Sequence, residues 1–254
     1  MTNLAGKRGL VVGIANQHSI ATGCAKAFHA AGAELAVTYL NEKAKPYVAP
    51  IAEALEAPIF VPCDVRSPGQ LETVFDAIEQ TWGQLDFLLH SIAFAPREDL
   101  QTSVVNSSPE GFALAMDVSC HSFLRMAKLA IPLMKDGGSL LTVSFYGADR
   151  VVEHYNLMGP VKAALESSVR YLAADLADHG IRANAISAGP IATRAASGID
   201  RFDALLDEVR ARTPANRLVT IEDVGKVAAF LASDDGASMT GSVVYSDNGF
   251  HTVA

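Results

Sequence analysis

The feature that most constrains the fold of this chain is a regular alternation of short apolar, β-branched runs with longer amphipathic stretches. Several short runs, such as residues 10–12 and 87–89, are continuously hydrophobic, which is typical of strands buried on both faces of a parallel sheet. We predict seven strands, at residues 8–13, 34–39, 59–63, 86–91, 139–144, 181–187 and 242–247.

Helices are predicted between these strands, because residues 71–82 and 163–176 repeat their apolar positions at a spacing near 3.6. Thr220 precedes two early acids and an apolar stretch, which indicates a capped helix start. No internal repeat or linker interrupts the pattern. The sequence therefore predicts one doubly wound, Rossmann-type α/β domain over residues 1–254, with about seven parallel strands and helices on both faces.

Composition and charge exclude several functions. Half of the residues are hydrophobic, and the formal net charge of −8 argues against binding nucleic acid or an anionic membrane surface. No apolar run reaches the roughly 18 residues of a spanning helix, and the N-terminus lacks a signal-peptide core. Cys24, Cys63 and Cys120 are too dispersed for a metal site or a disulfide framework. We expect a cytoplasmic protein without a metal.

The turn after the first strand has the residues of a phosphate-binding loop. Gly13 and Ala15 are small where backbone amides would approach a pyrophosphate, and Ser19 precedes a helix N-terminus. Ser19 would cap that helix or donate to the phosphate. Because the usual G-x-G-x-x-G is absent, an ordinary tight turn between strand and helix remains the alternative.

The end of the second strand bears on the choice of cofactor. An acid there usually binds the adenosine ribose of NAD, whereas an arginine receives the extra phosphate of NADP. Leu40 occupies this position and no arginine is near. The negative charge of Glu42 partly offsets the positive charge of Lys43. NADH is therefore favoured over NADPH. After the third strand, Asp64 would read the adenine amino group or only cap the next helix.

Tyr155 and Lys162 are the candidate catalytic residues. On a helix, seven residues advance about 700°, so the two side chains would share a stripe roughly 10 Å apart along the axis. The tyrosine would meet a substrate oxygen while the ammonium contacts the cofactor ribose. A nearby cation also favours an ionised tyrosine. Their position after a strand of a doubly wound sheet, where ligands bind, supports this role.

Two motifs carry a resemblance to a known family: Gly13 is followed after five residues by Ser19-x-Ala21, and Tyr155 is followed after six residues by Lys162. This combination resembles that of the enoyl-acyl-carrier-protein reductases. These form a divergent branch of the short-chain dehydrogenase/reductase superfamily. The better-known branch has tyrosine-x3-lysine and an Asn-Asn-Ala-Gly run. Here the x3 position is glycine, and residues 90–93 read His-Ser-Ile-Ala. Similarity continues through residues 35–39, 63–65, 184–191 and 195–199.

The resemblance implies NADH-dependent reduction of the trans-2 double bond of an enoyl thioester in fatty-acid synthesis. Tyr155 would donate a hydrogen bond to the enolate oxygen, and Lys162 would hold the nicotinamide ribose. A homotetramer and delivery of the substrate by an acyl carrier protein are also implied. The cofactor site would comprise Gly13, Ala15, Ser19, Ile20, Leu40, Asp64, Val65, Ser91, Ile92, Ala93, Lys162, Gly189, Pro190, Ile191 and Thr193. The substrate site would comprise Phe94, Ala95, Phe145, Tyr155, Met158, Ala195, Ala196 and Ile199.

Two segments depart from the family pattern. Many members carry a second tyrosine where this chain has Phe145, which we interpret as a substrate contact, with Tyr146 beside it in doubt and Ser144 structural. Residues 200–208 are acidic where members often present basic side chains to an acidic carrier. This patch is either a solvated helix face or a sign that the enzyme uses coenzyme A thioesters or a dedicated carrier.

Residues 190–213 are expected to form a substrate-binding loop, either a lid that orders on binding or a fixed pair of short helices. Two other functions remain open. The same fold and cofactor would serve a carbonyl reductase or an alcohol dehydrogenase, which the absence of a serine at the superfamily spacing disfavours. A dinucleotide-binding regulator without turnover is the non-enzymatic alternative, which the retention of Tyr155 and Lys162 disfavours.

Overall fold

The computed structural model describes residues 2–193 and 202–253. Its centre is a seven-stranded parallel sheet in the order β3-β2-β1-β4-β5-β6-β7, which confirms the predicted fold class. The strands are β1 Arg8–Val12, β2 Glu34–Tyr39, β3 Ile59–Pro62, β4 Phe87–His90, β5 Gly138–Phe145, β6 Ile181–Ala188 and β7 Val243–Ser246. All seven predicted strands are therefore present, with ends that differ by at most one residue.

Helices cover both faces of the sheet. They are α1 Ile20–Ala30, α2 Lys45–Ala54, α3 Gln70–Trp82, α4 Arg97–Leu100, α5 Pro109–Met116, α6 Ser122–Ala130, α7 Met158–Asp175, α8 Phe202–Arg212 and α9 Ile221–Ala232. One large apolar core lies under α3, α6 and α7, and a second lies under α1, α2 and α9. Strands buried between two such layers need the continuous apolar runs seen in the sequence.

The apolar stretch 113–133 is divided into several helical segments rather than forming one regular α-helix. A π-helical turn, Asp117–His121, lies between α5 and α6, and a 3-10 turn, Ile131–Leu133, follows α6. Ser122 accounts for part of the change, because its hydroxyl donates to the carbonyl of Val118 at 2.7 Å. Hydroxyls that bond back to the preceding turn often bend helices.

The predicted start of α9 is confirmed. Thr220 is its N-cap and accepts a hydrogen bond from the backbone N–H of Asp223, whose carboxylate accepts one from the backbone N–H of Thr220. This reciprocal capping box satisfies two donors that the helix itself leaves unpaired. In the part of the chain that is described, no helix is long and apolar enough to cross a membrane.

Candidate active site

A cavity of about 430 Å³ opens at the carboxyl ends of the central strands. From β1 the chain proceeds outward to β2 and β3, and from β4 it proceeds in the opposite direction to β5, β6 and β7. The strand order thus reverses between β1 and β4, and ligands of doubly wound sheets bind at such a switch point. The cavity is where the fold predicts the site.

Gly13 fits closely between β1 and β4. Its φ is +114°, a conformation that other residues rarely adopt, and a Cβ built there would lie 2.0 Å from the carbonyl oxygen of Ser91. Both positions line the cavity. Glycine is therefore required by the backbone geometry, and its bare Cα leaves room for a ligand to approach the main chain.

Ser19 stabilises the turn after β1 through its side chain, rather than using that side chain to cap α1. Its Oγ accepts hydrogen bonds from the backbone N–H groups of Ala15 and Asn16, both at 3.1 Å, and makes no side-chain cap. A hydroxyl has two acceptor lone pairs and one proton. Since both lone pairs are used, the remaining proton of this buried, cavity-lining side chain can be donated to a ligand oxygen.

Tyr155 lies in a turn before α7, so the prediction that it shares a helical stripe with Lys162 is wrong. The helix begins only at Met158, and the residues on either side of Tyr155 have positive φ, +63° at His154 and +43° at Asn156. The Asn156 side chain donates to the carbonyl of Leu100 at 2.8 Å, which ties the turn to α4. Tyr155 and Lys162 nevertheless line the same cavity.

The phenol of Tyr155 is suited to donate a hydrogen bond rather than to ionise. Burial, assisted by the charge of Glu166, raises the pKa of Tyr155 above its usual value. The sequence-based expectation that a cation would favour the ionised form is therefore not met. The ring is held by Phe145, which meets it edge-on with centroids 4.8 Å apart, and by Gly147, where a Cβ would lie 2.5 Å from the ring.

Lys162 is buried in the first turns of α7. Its ammonium donates to the carbonyl oxygen of Val143 in β5 at 2.7 Å. Burial lowers its pKa to about 8, because desolvation disfavours the charged form, although Glu166 acts in the opposite direction. A lysine held in this way can donate to a hydroxyl group in the cavity at neutral pH.

The cavity brings together most of the predicted site residues. Those that line it are Gly13, Ala15, Ser19, Ile20, Ser91, Ile92, Ala93, Phe94, Ala95, Phe145, Tyr155, Met158, Lys162, Gly189, Pro190, Ile191 and Thr193.

Three predicted cofactor residues do not line the cavity. The Leu40 side chain is 49% exposed beyond β2, and Val65 is buried. The Asp64 carboxylate accepts two hydrogen bonds from the guanidinium of Arg66, at 2.7 and 2.9 Å, which lower its pKa. Asp64 therefore has Arg66 as a partner, and its predicted contact with the adenine amino group stays a prediction.

The predicted substrate residues Ala195, Ala196 and Ile199 lie outside the described residues. Sequence reasoning did not include five other lining residues: Leu100, Val143, Ser144, Ala188 and Phe202. Ala188 was within a motif already quoted for the family, and Ser144 had been interpreted as structural. Leu100, Val143 and Phe202 carry no chemical signal in the sequence, because only tertiary packing places their atoms there.

Tyr146 points away from the cavity, in agreement with its doubtful role. It packs with Val209 of α8 and Phe250 in a separate apolar cluster. The acidic α8 also pairs its own arginines, since Arg210 lies 3.0 Å from Asp207 and Arg212 lies 2.8 Å from Glu208. These two arginines are therefore engaged within the helix, although exposed pairs of this kind are weak.

These residues fit a nicotinamide dinucleotide. The close approach at Gly13 leaves no room for a Cβ, the Ser19 hydroxyl has a proton to donate, and the N-terminus of α1 begins at the cavity-lining Ile20. Lys162 supplies a cation deeper in the same cavity. Together they provide donors for a pyrophosphate and for ribose hydroxyls.

Comparisons with known proteins agree with this geometry. Residues 13–251 match the family described as Enoyl-(Acyl carrier protein) reductase. Enoyl-[acyl-carrier-protein] reductase [NADH] FabI of Aquifex aeolicus is 47% identical over 98% of this chain and 92% of its own length. The reductase of Anaplasma phagocytophilum, solved in complex with NAD, is 47% identical, with a TM-score of 0.95, over 99% of this chain and 96% of its own. The Bacillus cereus reductase, solved with NADP⁺ and an indole naphthyridinone, is 44% identical, with a TM-score of 0.96, over 100% of both chains. The chain therefore belongs to the enoyl-acyl-carrier-protein reductase family.

Proposed function

We propose that this protein reduces the trans-2 double bond of an enoyl thioester with NADH, as an enoyl-acyl-carrier-protein reductase of fatty-acid synthesis. The observation that carries the proposal is the convergence of the Tyr155 phenol and the Lys162 ammonium on one cavity, beside the loop from Gly13 to Ser19. The full-length relatives named above are enoyl-acyl-carrier-protein reductases.

The chemistry follows from the two donors. When bound, NADH would supply a hydride to the β-carbon of the substrate, negative charge would collect on the thioester oxygen, and a proton from solvent at the α-carbon would complete the reduction. The neutral phenol of Tyr155 donates a hydrogen bond to that oxygen, and a preorganised donor of this kind is worth about 3 kcal/mol. Lys162 donates to the nicotinamide ribose and thereby orients the cofactor. Phe145 and Met158 provide apolar walls for the acyl chain.

The cofactor is NADH. Near the tip of β2, Lys45 lies 3.6 Å from Glu42, whose carboxylate also accepts a hydrogen bond from Tyr39. Glu42 would repel the extra phosphate of NADPH, and the segment offers no arginine to bind it. Because the Bacillus cereus structure contains NADP⁺, NADPH belongs in the test as a second arm.

The substrate carrier is acyl carrier protein. We also propose that residues 190–213 form the substrate-binding loop, with Ala195, Ala196 and Ile199 against the acyl chain. The cavity-lining Phe202 begins α8 directly beside this loop. The acidic character of α8 favours coenzyme A thioesters as the alternative carrier, because an acidic carrier protein would be repelled there.

The decisive experiment measures NADH and NADPH oxidation with crotonyl-coenzyme A, crotonyl-acyl-carrier-protein and simple ketones. We expect turnover of the enoyl thioesters with NADH and none of the ketones. Turnover of ketones alone would make the protein a carbonyl reductase. A coenzyme A thioester used as efficiently as the carrier-bound substrate would overturn the choice of carrier.

We further propose a cytoplasmic homotetramer folded as one domain over residues 1–254. The exposed Tyr171 on α7 (71%) and Phe112 on α5 (38%) support buried faces between subunits. The free cysteines Cys24, Cys63 and Cys120 suit a reducing compartment. Light scattering should give four chains, and Tyr171→Glu should reduce that number. A monomeric wild type would contradict the proposal.

A further inference from the structure

Two residues of α7, one helical turn apart, bind two consecutive residues of β5. Lys162 donates to the carbonyl of Val143 at 2.7 Å, and the carboxylate of Glu166 accepts a hydrogen bond from the hydroxyl of Ser144 at 2.5 Å. Val143 and Ser144 both line the cavity, and Ser144 is 3% exposed. The site end of β5 is thus fixed to the helix that carries the lysine.

Glu166 is partly buried next to the site, where its carboxylate is bound by the hydroxyl of the cavity-lining Ser144. Burial raises its pKa, while the hydrogen bond from Ser144 and the charge of Lys162 oppose that change. A desolvated carboxylate is costly unless it is paired or hydrogen-bonded. Here it favours the proton-bearing forms of both Lys162 and Tyr155, because its charge raises the pKa of each.

We propose that Glu166 is a positioning residue of the active site, which holds β5 against α7 through Ser144 and keeps Lys162 in the ammonium form that binds the cofactor ribose. The proposal rests on the reductase function proposed above. It also assigns a role to Ser144, whose hydroxyl is directed to Glu166 and fixes the carboxylate. Neither residue needs to touch the substrate.

Other titratable groups surround this pair. Lys162 faces Tyr155 from the preceding turn, Cys120 from the π-helical turn and His90 from β4, in addition to Glu166. Among these groups, Glu166 is the carboxylate.

Glu166 is itself influenced by groups on three elements. Arg170 lies further along α7, Asp149 lies in the turn after β5, and Tyr245 belongs to β7. Arg170 and Asp149 carry opposite charges, so their effects on Glu166 partly cancel. Removing the charge of Glu166 is therefore the change that isolates its effect on Lys162.

The test replaces Glu166 with glutamine, which keeps the shape and an acceptor for Ser144 but removes the charge. The matched control is Asp175→Asn, which removes one exposed carboxylate from the far end of the same helix. The titration of Lys162 is followed by NMR of protein labelled with carbon-13 at lysine Cε, and its signal is assigned by its loss in Lys162→Met.

We expect Glu166→Gln to move the midpoint of the Lys162 titration to lower pH by about half a pH unit or more, because an opposite charge one helical turn from Lys162 is lost. The alkaline limb of kcat/KM with crotonyl-coenzyme A should move by the same amount. Asp175→Asn should move neither. Equal midpoints in Glu166→Gln and wild type would overturn the proposal, and so would a lower Lys162 midpoint with an unchanged alkaline limb.

Ser144→Ala tests the hydrogen bond separately, since it leaves the charge of Glu166 in place. We expect NADH affinity to fall several-fold with a smaller change in the Lys162 midpoint. If Glu166→Gln does not fold, unchanged NADH affinity in Ser144→Ala overturns the proposal. The NMR titration does not depend on turnover. A wild type without reductase activity would therefore contradict the proposed function, whereas the NMR result would still decide the role of Glu166.

Discussion

The ring of Phe145 stands edge-on against the ring of Tyr155, with the two centroids 4.8 Å apart, on the wall of the cavity. This contact holds the phenol of Tyr155 without a hydrogen bond from a second tyrosine. Its consequence is that the ring and the hydroxyl of Tyr155 have separable roles, one in packing and one in chemistry.

Tyr155→Phe should therefore abolish most of the activity without disturbing the fold. The ring still packs on Phe145, but the donor to the developing oxyanion is lost, so we expect kcat to fall about 100-fold or more. Steady-state kinetics with crotonyl-coenzyme A measure this, and NADH fluorescence should show nearly unchanged affinity. Tyr146→Phe is the control and should keep kcat near that of wild type, because Tyr146 packs outside the cavity. Full activity in Tyr155→Phe would remove the phenol from the mechanism.

Gly13→Ala should weaken NADH binding more than an alanine at another glycine with positive φ does. Gly13 and Gly69 both have positive φ, but only at Gly13 would the added Cβ collide with a backbone oxygen, whereas at Gly69 nothing lies within 4 Å. Gly69→Ala should cost about 1 kcal/mol of stability and leave NADH affinity unchanged. Gly13→Ala should weaken NADH binding about tenfold or more in fluorescence titration. Equal NADH affinities in the two variants would exclude a special role for the Gly13 contact.

His90 should make the protein less stable as the pH falls. It is fully buried between Thr142 and Ser122, and burial lowers its pKa to about 3. Between its unfolded value near 6.5 and pH 3, the unfolded chain binds a proton that the folded chain does not, so stability is lost as pH decreases.

Urea unfolding at pH 7 and pH 5 measures that loss. His90→Gln should be less stable at pH 7, and its free energy of unfolding should fall less between the two pH values, by up to about 1.4 kcal/mol per pH unit. Parallel losses in wild type and variant would show that His90 does not contribute to the acid sensitivity.

Thr220→Ala should destabilise the protein by about 1 kcal/mol, because it removes the acceptor for the Asp223 N–H at the start of α9. Thr81→Ala, at an exposed position of α3, is the matched control and should stay within about 0.5 kcal/mol of wild type. Chemical denaturation at neutral pH compares the two. A loss at position 81 as large as that at position 220 would mean that the capping box adds nothing.

The order of strands and helices, the phosphate-binding turn and the pair Tyr155 and Lys162 could be read from the sequence. Each depends on short-range patterns: runs of apolar residues, small residues at a turn, and fixed spacings of a few residues along the chain. The start of α9 is similar, because Thr220 and Asp223 form their capping box within four residues. Local chemistry is enough for such features.

Tertiary structure decided how those residues work. Tyr155 reaches the cavity from a turn with positive φ on both sides rather than from a helix, since Asn156 is tied to Leu100, 56 residues away in the chain. Asp64 is bound by Arg66, and Ser144 is bound by Glu166. The sequence determined the fold and predicted Tyr155 and Lys162 as a pair because their signals are local. The depth of Lys162, the neutral state of Tyr155 and the partner of Ser144 depend on burial and on contacts between distant segments, which only the folded chain creates.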